Sequence, residues 1–256
     1  MVDALFGDGR LVGVYDALDP DRGDLEAYVG MVGEFGARSV LDVGCGTGEL
    51  ARLLVEAGVE VVGVDPALAS LEVARGKVGA EKVRWIHGDA TGLPPLQVEL
   101  AVMTGNVAQV FLSDEEWMAT LYGVRAALVP GGRFVFETRD PARRAWLEWN
   151  REATYKRIHV PGVGGVENWT DLLDVKEPFV TFRSTYVFES DGARMTSEST
   201  LRFRTRAEVE ESLSEAGFAV ADVRDAPDRP GKEFVFVAEG GAARVPGQGN
   251  VAHPAP

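Results

Sequence analysis

Apolar runs and helix-like stretches alternate through the first half of the chain, the pattern of a parallel sheet covered by helices. Asp24 to Phe35 reads as a helix, Ser39 to Val43 as a β-branched strand, and Glu49 to Ala57 as a helix stopped by Gly58. Val59 to Val64 is the second strand, Pro66 opens a helix through Lys77, and Lys82 to Ile86 and Leu96 to Met103 are the next two strands. Ser113 with Glu116 forms a capping box for a helix to about Leu128, ended by Pro130-Gly131-Gly132, and Arg133 to Thr138 is a fifth strand.

The pattern then changes. Asp140-Pro141 predicts a helix to about Asn150, followed by alternating, strand-like segments at Tyr155–Val160, Val166–Val175, Val180–Glu189 and Arg194–Arg204. Asp191-Gly192 is a tight hairpin turn, so these segments read as an antiparallel meander inserted into the domain. Thr205 with Glu208 is a second capping box, leading a helix that ends at Gly217. Phe218–Val223 and Glu233–Ala238 then pair across the turn Asp228-Arg229-Pro230-Gly231. The domain division is a core of residues 1–138 and 205–239, an insertion of 139–204, and a tail of 240–256 too poor in apolar residues to pack, expected to be disordered.

Composition narrows the function. The 256 residues are 45% hydrophobic and 26% charged, ordinary globular values, and no apolar run approaches the roughly 20 residues of a membrane helix. The opening MVDALFGDGR lacks the basic start and apolar stretch of a secretory signal, so the chain is expected in the cytoplasm. Forty acids against 26 bases give a formal charge of −14, which repels a phosphate backbone and argues against nucleic acid as a partner. Cys45 is the only cysteine, so no intrachain disulfide and no cysteine-rich metal site is expected.

The chemistry concentrates in Val40-Leu41-Asp42-Val43-Gly44-Cys45-Gly46-Thr47-Gly48, a buried strand running into a glycine loop and a helix. Glycines at alternate positions permit positive φ and close backbone approach to a ligand. The second strand ends in Val64-Asp65-Pro66, which places a carboxylate where it reaches ribose hydroxyls, and the third in His87-Gly88-Asp89-Ala90. Three acids therefore line one carboxyl edge. A dinucleotide fold carries G-x-G-x-x-G, whereas the third glycine here comes one place early. Asp42 and Glu49 on either side of the loop would repel a pyrophosphate but suit an ammonium or sulfonium.

With these motifs the sequence resembles the class I S-adenosylmethionine-dependent methyltransferases. VLDVGCGTGEL has the form of their first motif, and VVGVDPALASLEVAR, VRWIHGDATGLP and LVPGGRFVFET follow in register. The resemblance covers Leu11–Thr138 and Thr205–Glu239. It implies a three-layer, Rossmann-like sheet of seven strands with the last antiparallel, the β insertion following strand five. It also implies S-adenosylmethionine as cofactor and S-adenosylhomocysteine as product. By the same resemblance, Asp42, Gly44, Cys45 and Gly46 hold the methionine part, Asp65 takes the ribose hydroxyls and Pro66 packs beside the adenine. Asp89 accepts from the adenine amino group, and Ala90 supplies a backbone contact. Thr104, Gly105 and Asn106 stand near the sulfonium and methyl acceptor, and Tyr15 resembles a tyrosine folded over the cofactor. MTGNVAQVF lacks the Asn-Pro-Pro-aromatic motif of DNA-amino members, which disfavours base methylation. The expected reaction is in-line methyl transfer to a nitrogen or oxygen of a small molecule, as in amino-sugar N-methyltransferases.

Outside the motifs, His159 in the insertion is the candidate base, since histidine titrates near neutrality. The plainer reading, a polar residue on the solvent face of a strand, carries more weight. Trp146, Trp149, Tyr155 and Trp169 either pack the added sheet or wall an apolar acceptor. Arg139 heads a run of six cations, with Arg143, Arg144, Arg151, Lys156 and Arg157, against Asp140, Glu148 and Glu152. The run is either a solvated face or an attractor for an acidic acceptor, with Arg139 as the candidate contact. The insertion is expected to roof the acceptor site or form a homodimer contact. Cys45 reads as a small loop residue rather than a nucleophile. A nicotinamide-dependent oxidoreductase and a non-catalytic S-adenosylmethionine-binding protein are the competing functions.

Overall fold

Two short helices, α1 (Ala4–Gly7) and α2 (Gly9–Leu18), precede α3 (Gly23–Glu34) in the computed structural model, which describes residues 2–241. Strands and helices then alternate through β1 (Ser39–Val43), α4 (Glu49–Glu56), β2 (Glu60–Asp65), α5 (Leu68–Arg75), β3 (Val83–His87), β4 (Val98–Met103), α6 (Asp114–Ala127) and β5 (Leu128–Arg139). A one-turn α7 (Arg151–Thr154) leads into β6 (Lys156–Val160), β7 (Gly164–Lys176), β8 (Phe179–Phe188) and β9 (Arg194–Arg202). The chain returns through α8 (Arg206–Glu215) to β10 (Phe218–Asp225) and β11 (Glu233–Gly240). Past Gly241 the tail expected over residues 240–256 lies outside the described residues.

Seven strands form one sheet in the order β10-β11-β5-β4-β1-β2-β3, and β6-β7-β8-β9 form a second, antiparallel one. β11 runs antiparallel to both neighbours while β1 to β5 are parallel. The fold class is therefore the seven-stranded α/β sheet with an antiparallel insertion that the sequence implied. Helices cover both faces. Trp117, Leu121 and Val124 of α6 and Val209 and Leu213 of α8 bury one face, and Leu25 and Val32 of α3 with Leu50 and Leu54 of α4 bury the other. Central strands buried on both faces need continuous apolar runs, which is why they were readable. Both capping boxes form, Ser113 with Glu116 and Thr205 with Glu208.

Two segments differ from expectation. Residues 141–150 are not a helix but two single turns, Pro141–Arg143 and Ala145–Glu148, separated by Arg144 at φ 47°. Burial of Trp146 against Val180 and Phe203 fixes this broken course. The N-terminal helices had no assignment, yet Asp8 caps α2 by accepting from the Arg10 and Leu11 amides. Leu11 and Val14 of α2 pack onto Val160, Val166, Tyr186 and Phe188, so α2 lies against the insertion.

Candidate active site

The turn from β1 into α4 uses the left-handed region three times, at Gly44 (φ 73°), Gly46 (φ 51°) and Gly48 (φ 78°). A Cβ on Gly48 would stand 2.6 Å from the Trp85 ring, and one on Gly44 2.8 Å from Val107, whereas the space above Gly46 is open. The first and third glycines are thus required by packing, and the middle one leaves room for a ligand. Asp65 at the end of β2 accepts from the Gly46 amide at 2.8 Å and the Ala67 amide at 2.7 Å, tying loop to strand. Burial raises its pKa despite these bonds. Asp42 is 1% exposed, and neither of its carboxylate oxygens has a hydrogen-bond partner among the described residues. Desolvation, with the Asp65 charge adding to it, pushes the Asp42 carboxyl up to about 7. Asp89 is exposed at the end of β3 and accepts from the Thr91 amide and hydroxyl. Ala90 is buried because α6 approaches its carbonyl at Gly123, where a Cβ would collide with it.

Helix α2 is tied across this loop. Thr47 Oγ1 donates to Asp16 Oδ1 at 2.6 Å, and Lys77 Nζ lies 2.6 Å from both Asp16 Oδ2 and Glu49 Oε1. Tyr15, one residue earlier, lines a cavity of about 270 Å³ between α2, the carboxyl ends of β4 and β5, the insertion and the β10–β11 turn. Gly105, Asn106, Glu137, Arg139, Lys156, Asn168, Tyr186, Arg229 and Glu233 also line it.

A charged cluster forms the floor. Asn106, at φ 60°, donates through Nδ2 to Glu233 Oε1 at 3.2 Å, and its amide donates to Glu137 Oε1 at 2.9 Å. Glu233 pairs with Arg229 at 2.7 Å and with Arg139 at 3.6 Å, and Arg139 donates to Gln109 Oε1. Register explains the meeting, because antiparallel β11 sets Glu233 opposite Arg139 of β5. Burial, reinforced by the Glu233 charge, pushes the Glu137 carboxyl up to about 7. Burial also raises the phenols of Tyr15 and Tyr186, the latter to about 12, so neither ionises near neutrality.

Of the sequence candidates, the structure brings Tyr15, Asn106 and Arg139 to the cavity, and gathers Asp42, Gly44, Cys45, Gly46 and Asp65 at the glycine loop. Pro66 is exposed and its carbonyl meets the His87 ring at 3.1 Å, while Thr104 is half-buried at the end of β4. The Cys45 thiol is buried and its pKa raised by desolvation, which suits packing and not nucleophilic attack.

Four readings need correction. His159 is exposed on β6, where Glu189 is its charged neighbour, and it does not line the cavity. Trp146 is sealed against Phe203, Trp149 packs on Phe182 and Phe203, and Trp169 lies between Arg151 and Arg194 with its indole donating to Asp171. The three tryptophans therefore hold the insertion together instead of walling the cavity. Glu49 cannot carry the charge argument against pyrophosphate, since Lys77 and Arg52 neutralise it. Four of the six cations are paired within the fold, Arg139 with Glu233, Arg143 with Asp140, Arg144 with Glu177 and Arg157 with Glu189. Sequence reasoning missed Glu137, Glu233, Arg229, Asn168 and Tyr186. The one available signal was an acid closing the apolar strand in Phe134-Val135-Phe136-Glu137.

This strand order, with its antiparallel seventh strand and glycine loop at the β1 end, is the fold of the class I S-adenosylmethionine-dependent methyltransferases. Residues 40–132 match the family described as a methyltransferase domain. The cypemycin N-terminal methyltransferase of a Streptomyces species is 33% identical over 147 residues, which cover 56% of this chain and 60% of that protein. The chain spans no more than 60% of the length of the curated relatives it matches. The CcbJ methyltransferase of Streptomyces caelestis superposes with a TM-score of 0.74 at 23% identity, covering 93% of this chain and 98% of that one. SAM-bound CalS10 of Micromonospora echinaspora, an amino pentose methyltransferase of calicheamicin biosynthesis, gives 0.69 at 21% identity, covering 89% and 96%. No helix among the described residues is long and apolar enough to cross a membrane.

Proposed function

We propose that this protein transfers a methyl group from S-adenosylmethionine to a nitrogen or oxygen of a small molecule bound in the cavity beneath the insertion. The observation that carries the reading is a glycine loop and strand-end acids at the β1 side of the sheet with a polar cavity at the neighbouring ends of β4 and β5. The donor set fits the cofactor. Asp42 is an orphaned buried carboxylate beside a loop with open space over Gly46, which suits a ligand bearing an ammonium and a sulfonium. In this reading Asp42, Gly44, Cys45 and Gly46 hold the methionine part, Asp65 the ribose, and Pro66, Asp89 and Ala90 the adenine. Tyr15, Thr104 and Asn106 stand near the reacting centre, with Arg139 on the acceptor side. When bound, the cofactor supplies a methyl group already activated on sulfur, so the chain's own residues need only orient the acceptor, exclude water and hold its proton.

The antiparallel β11 and the early third glycine both depart from the dinucleotide-binding arrangement, which leaves the nicotinamide reading without support. Calorimetric titration with S-adenosylhomocysteine tests the proposal. Saturable one-to-one binding is expected, and no binding by the folded protein would overturn it. Binding without methyl loss to any member of a broad acceptor panel would favour a non-catalytic binding protein.

A further inference from the structure

The cavity holds several carboxylates, and all but one of its inward acids are already answered. Glu233 has Arg229 and Asn106, Asp228 has Arg229, Asp24 has Arg22, and Asp16 has Lys77 and Thr47. Asp19 is exposed and solvated. Glu137 differs. It is 7% exposed, lines the cavity, takes backbone donation from Asn106, and makes no salt bridge to any described residue. A buried anion without a cation is unfavourable unless a ligand supplies the charge or a proton neutralises it. No three of the described His, Cys, Asp or Glu residues are grouped to hold a metal ion, while the cavity of about 270 Å³ has room for an organic cation. Tyr15 and Tyr186 line the same cavity, and aromatic rings attract cations.

We propose that Glu137 binds the protonated amine of the methyl acceptor and then takes its proton, which makes the acceptor an amine and Glu137 a catalytic residue. This inference rests on the methyltransferase reading and names its substrate class. In the step, the N–H bond breaks with its electron pair left on nitrogen, an O–H bond forms on Glu137, and the ammonium–carboxylate pair becomes a neutral amine beside a neutral acid. The freed lone pair is the nucleophile that methylation requires. Glu137 is suited to the exchange because Glu233 repels its negative charge while Arg229, Arg139 and the amides of Gly105 and Asn106 oppose that repulsion. Tyr186, held neutral by burial, cannot serve instead.

The test uses the full chain labelled with 13C at glutamate carboxyls, the Glu137 signal being assigned by its loss in Glu137→Gln. Titration with ethylammonium chloride, against potassium chloride and ethanol as controls, is expected to shift that signal saturably, with ethanol inert. No saturable shift, or an equal one with ethanol, overturns the assignment. Glu137→Gln should bind S-adenosylhomocysteine as the wild type does while methylation of a primary-amine panel falls by roughly 100-fold or more, with Glu137→Asp partly restoring it. The rise of kcat/KM through about pH 7 in the wild type should disappear in Glu137→Gln. Turnover of the matched alcohols alone, or an undiminished rate in Glu137→Gln, sinks the inference and leaves the methyltransferase reading intact. Failure of the wild type to bind S-adenosylhomocysteine removes that reading, and the ethylammonium titration still judges Glu137. Should Glu137→Gln not fold, Glu137→Asp provides the assignment.

Discussion

Replacing Asp42 by asparagine should stabilise this protein above neutral pH while weakening its hold on cofactor. Asp42 is fully buried, its oxygens lack partners, and its carboxyl is raised from 3.8 to about 7 by desolvation and the Asp65 charge. Below about pH 4 the side chain is protonated folded and unfolded alike, so an amide of equal shape changes little. Between about pH 4 and 7 the folded state keeps a proton that the unfolded state releases, and stability contributed by the neutral acid is lost as pH rises through the folded pKa. A shift of about three units at about 1.4 kcal/mol each makes the loss about 4 kcal/mol at full size. Sharing of charge with Asp65 brings the expected difference to about 2–4 kcal/mol. Urea unfolding of both proteins, followed by tryptophan fluorescence from about pH 4 to 8, should show variant and wild type converging at the acid end. The variant should be more stable at the alkaline end. Glu137 titrates in both proteins and cancels from the difference. A difference that does not change with pH, or a variant less stable at pH 8, would refute the reasoning. Calorimetry on the same samples should show weaker binding of S-adenosylhomocysteine to the variant.

The glycine loop separates packing from ligand space. Gly48→Ala places a methyl 2.6 Å from Trp85 at φ 78°, adding overpacking to backbone strain, and should cost about 2–4 kcal/mol in thermal unfolding. Gly46→Ala carries strain alone, about 1–2 kcal/mol, and a smaller loss at Gly48 than at Gly46 would contradict the packing argument. Trp117→Phe removes the buried indole bond to Ser212 Oγ at 2.8 Å and should destabilise by about 1–3 kcal/mol, so a neutral result in urea would mean that Ser212 finds another partner. His159→Ala, on the solvent face of β6, should leave turnover and its pH profile unchanged.

The sheet was legible because β1, β2 and β4 must be apolar on both faces, and the helix starts because Ser113-Glu116 and Thr205-Glu208 satisfy orphan amides through local spacing. Where tertiary packing overrides local signals, the reading failed. Arg144 adopts a left-handed conformation that no helical pattern announces, and Trp146 is drawn out of helical register by Phe203. The glycine loop could be located since its constraint is local, three positive φ angles within five residues. The acceptor side could not, because Glu137, Arg139, Arg229 and Glu233 meet only after β11 enters antiparallel beside β5. His159 was an error of a related kind. Its chemistry was suitable, but strand alternation turned it outward.

Charge pairing sorts the acids better than their position in a motif does. Glu49 stands in the glycine motif yet is neutralised by Lys77 and Arg52, and Glu233 stands in the cavity yet is neutralised by Arg229, so both are explained by the fold itself. Asp42 and Glu137 have no such explanation. A buried carboxylate without a cation opposes folding, and removing it would favour the native state unless a ligand required it. The two lie on β1 and β5, the strands on either side of β4, whose end carries Gly105 and Asn106. Two buried carboxylates flanking one loop, neither in a salt bridge to a described residue, are the charge pattern that two cationic ligands would need in order to meet above it: a sulfonium-bearing donor on the β1 side and a protonated amine on the β5 side.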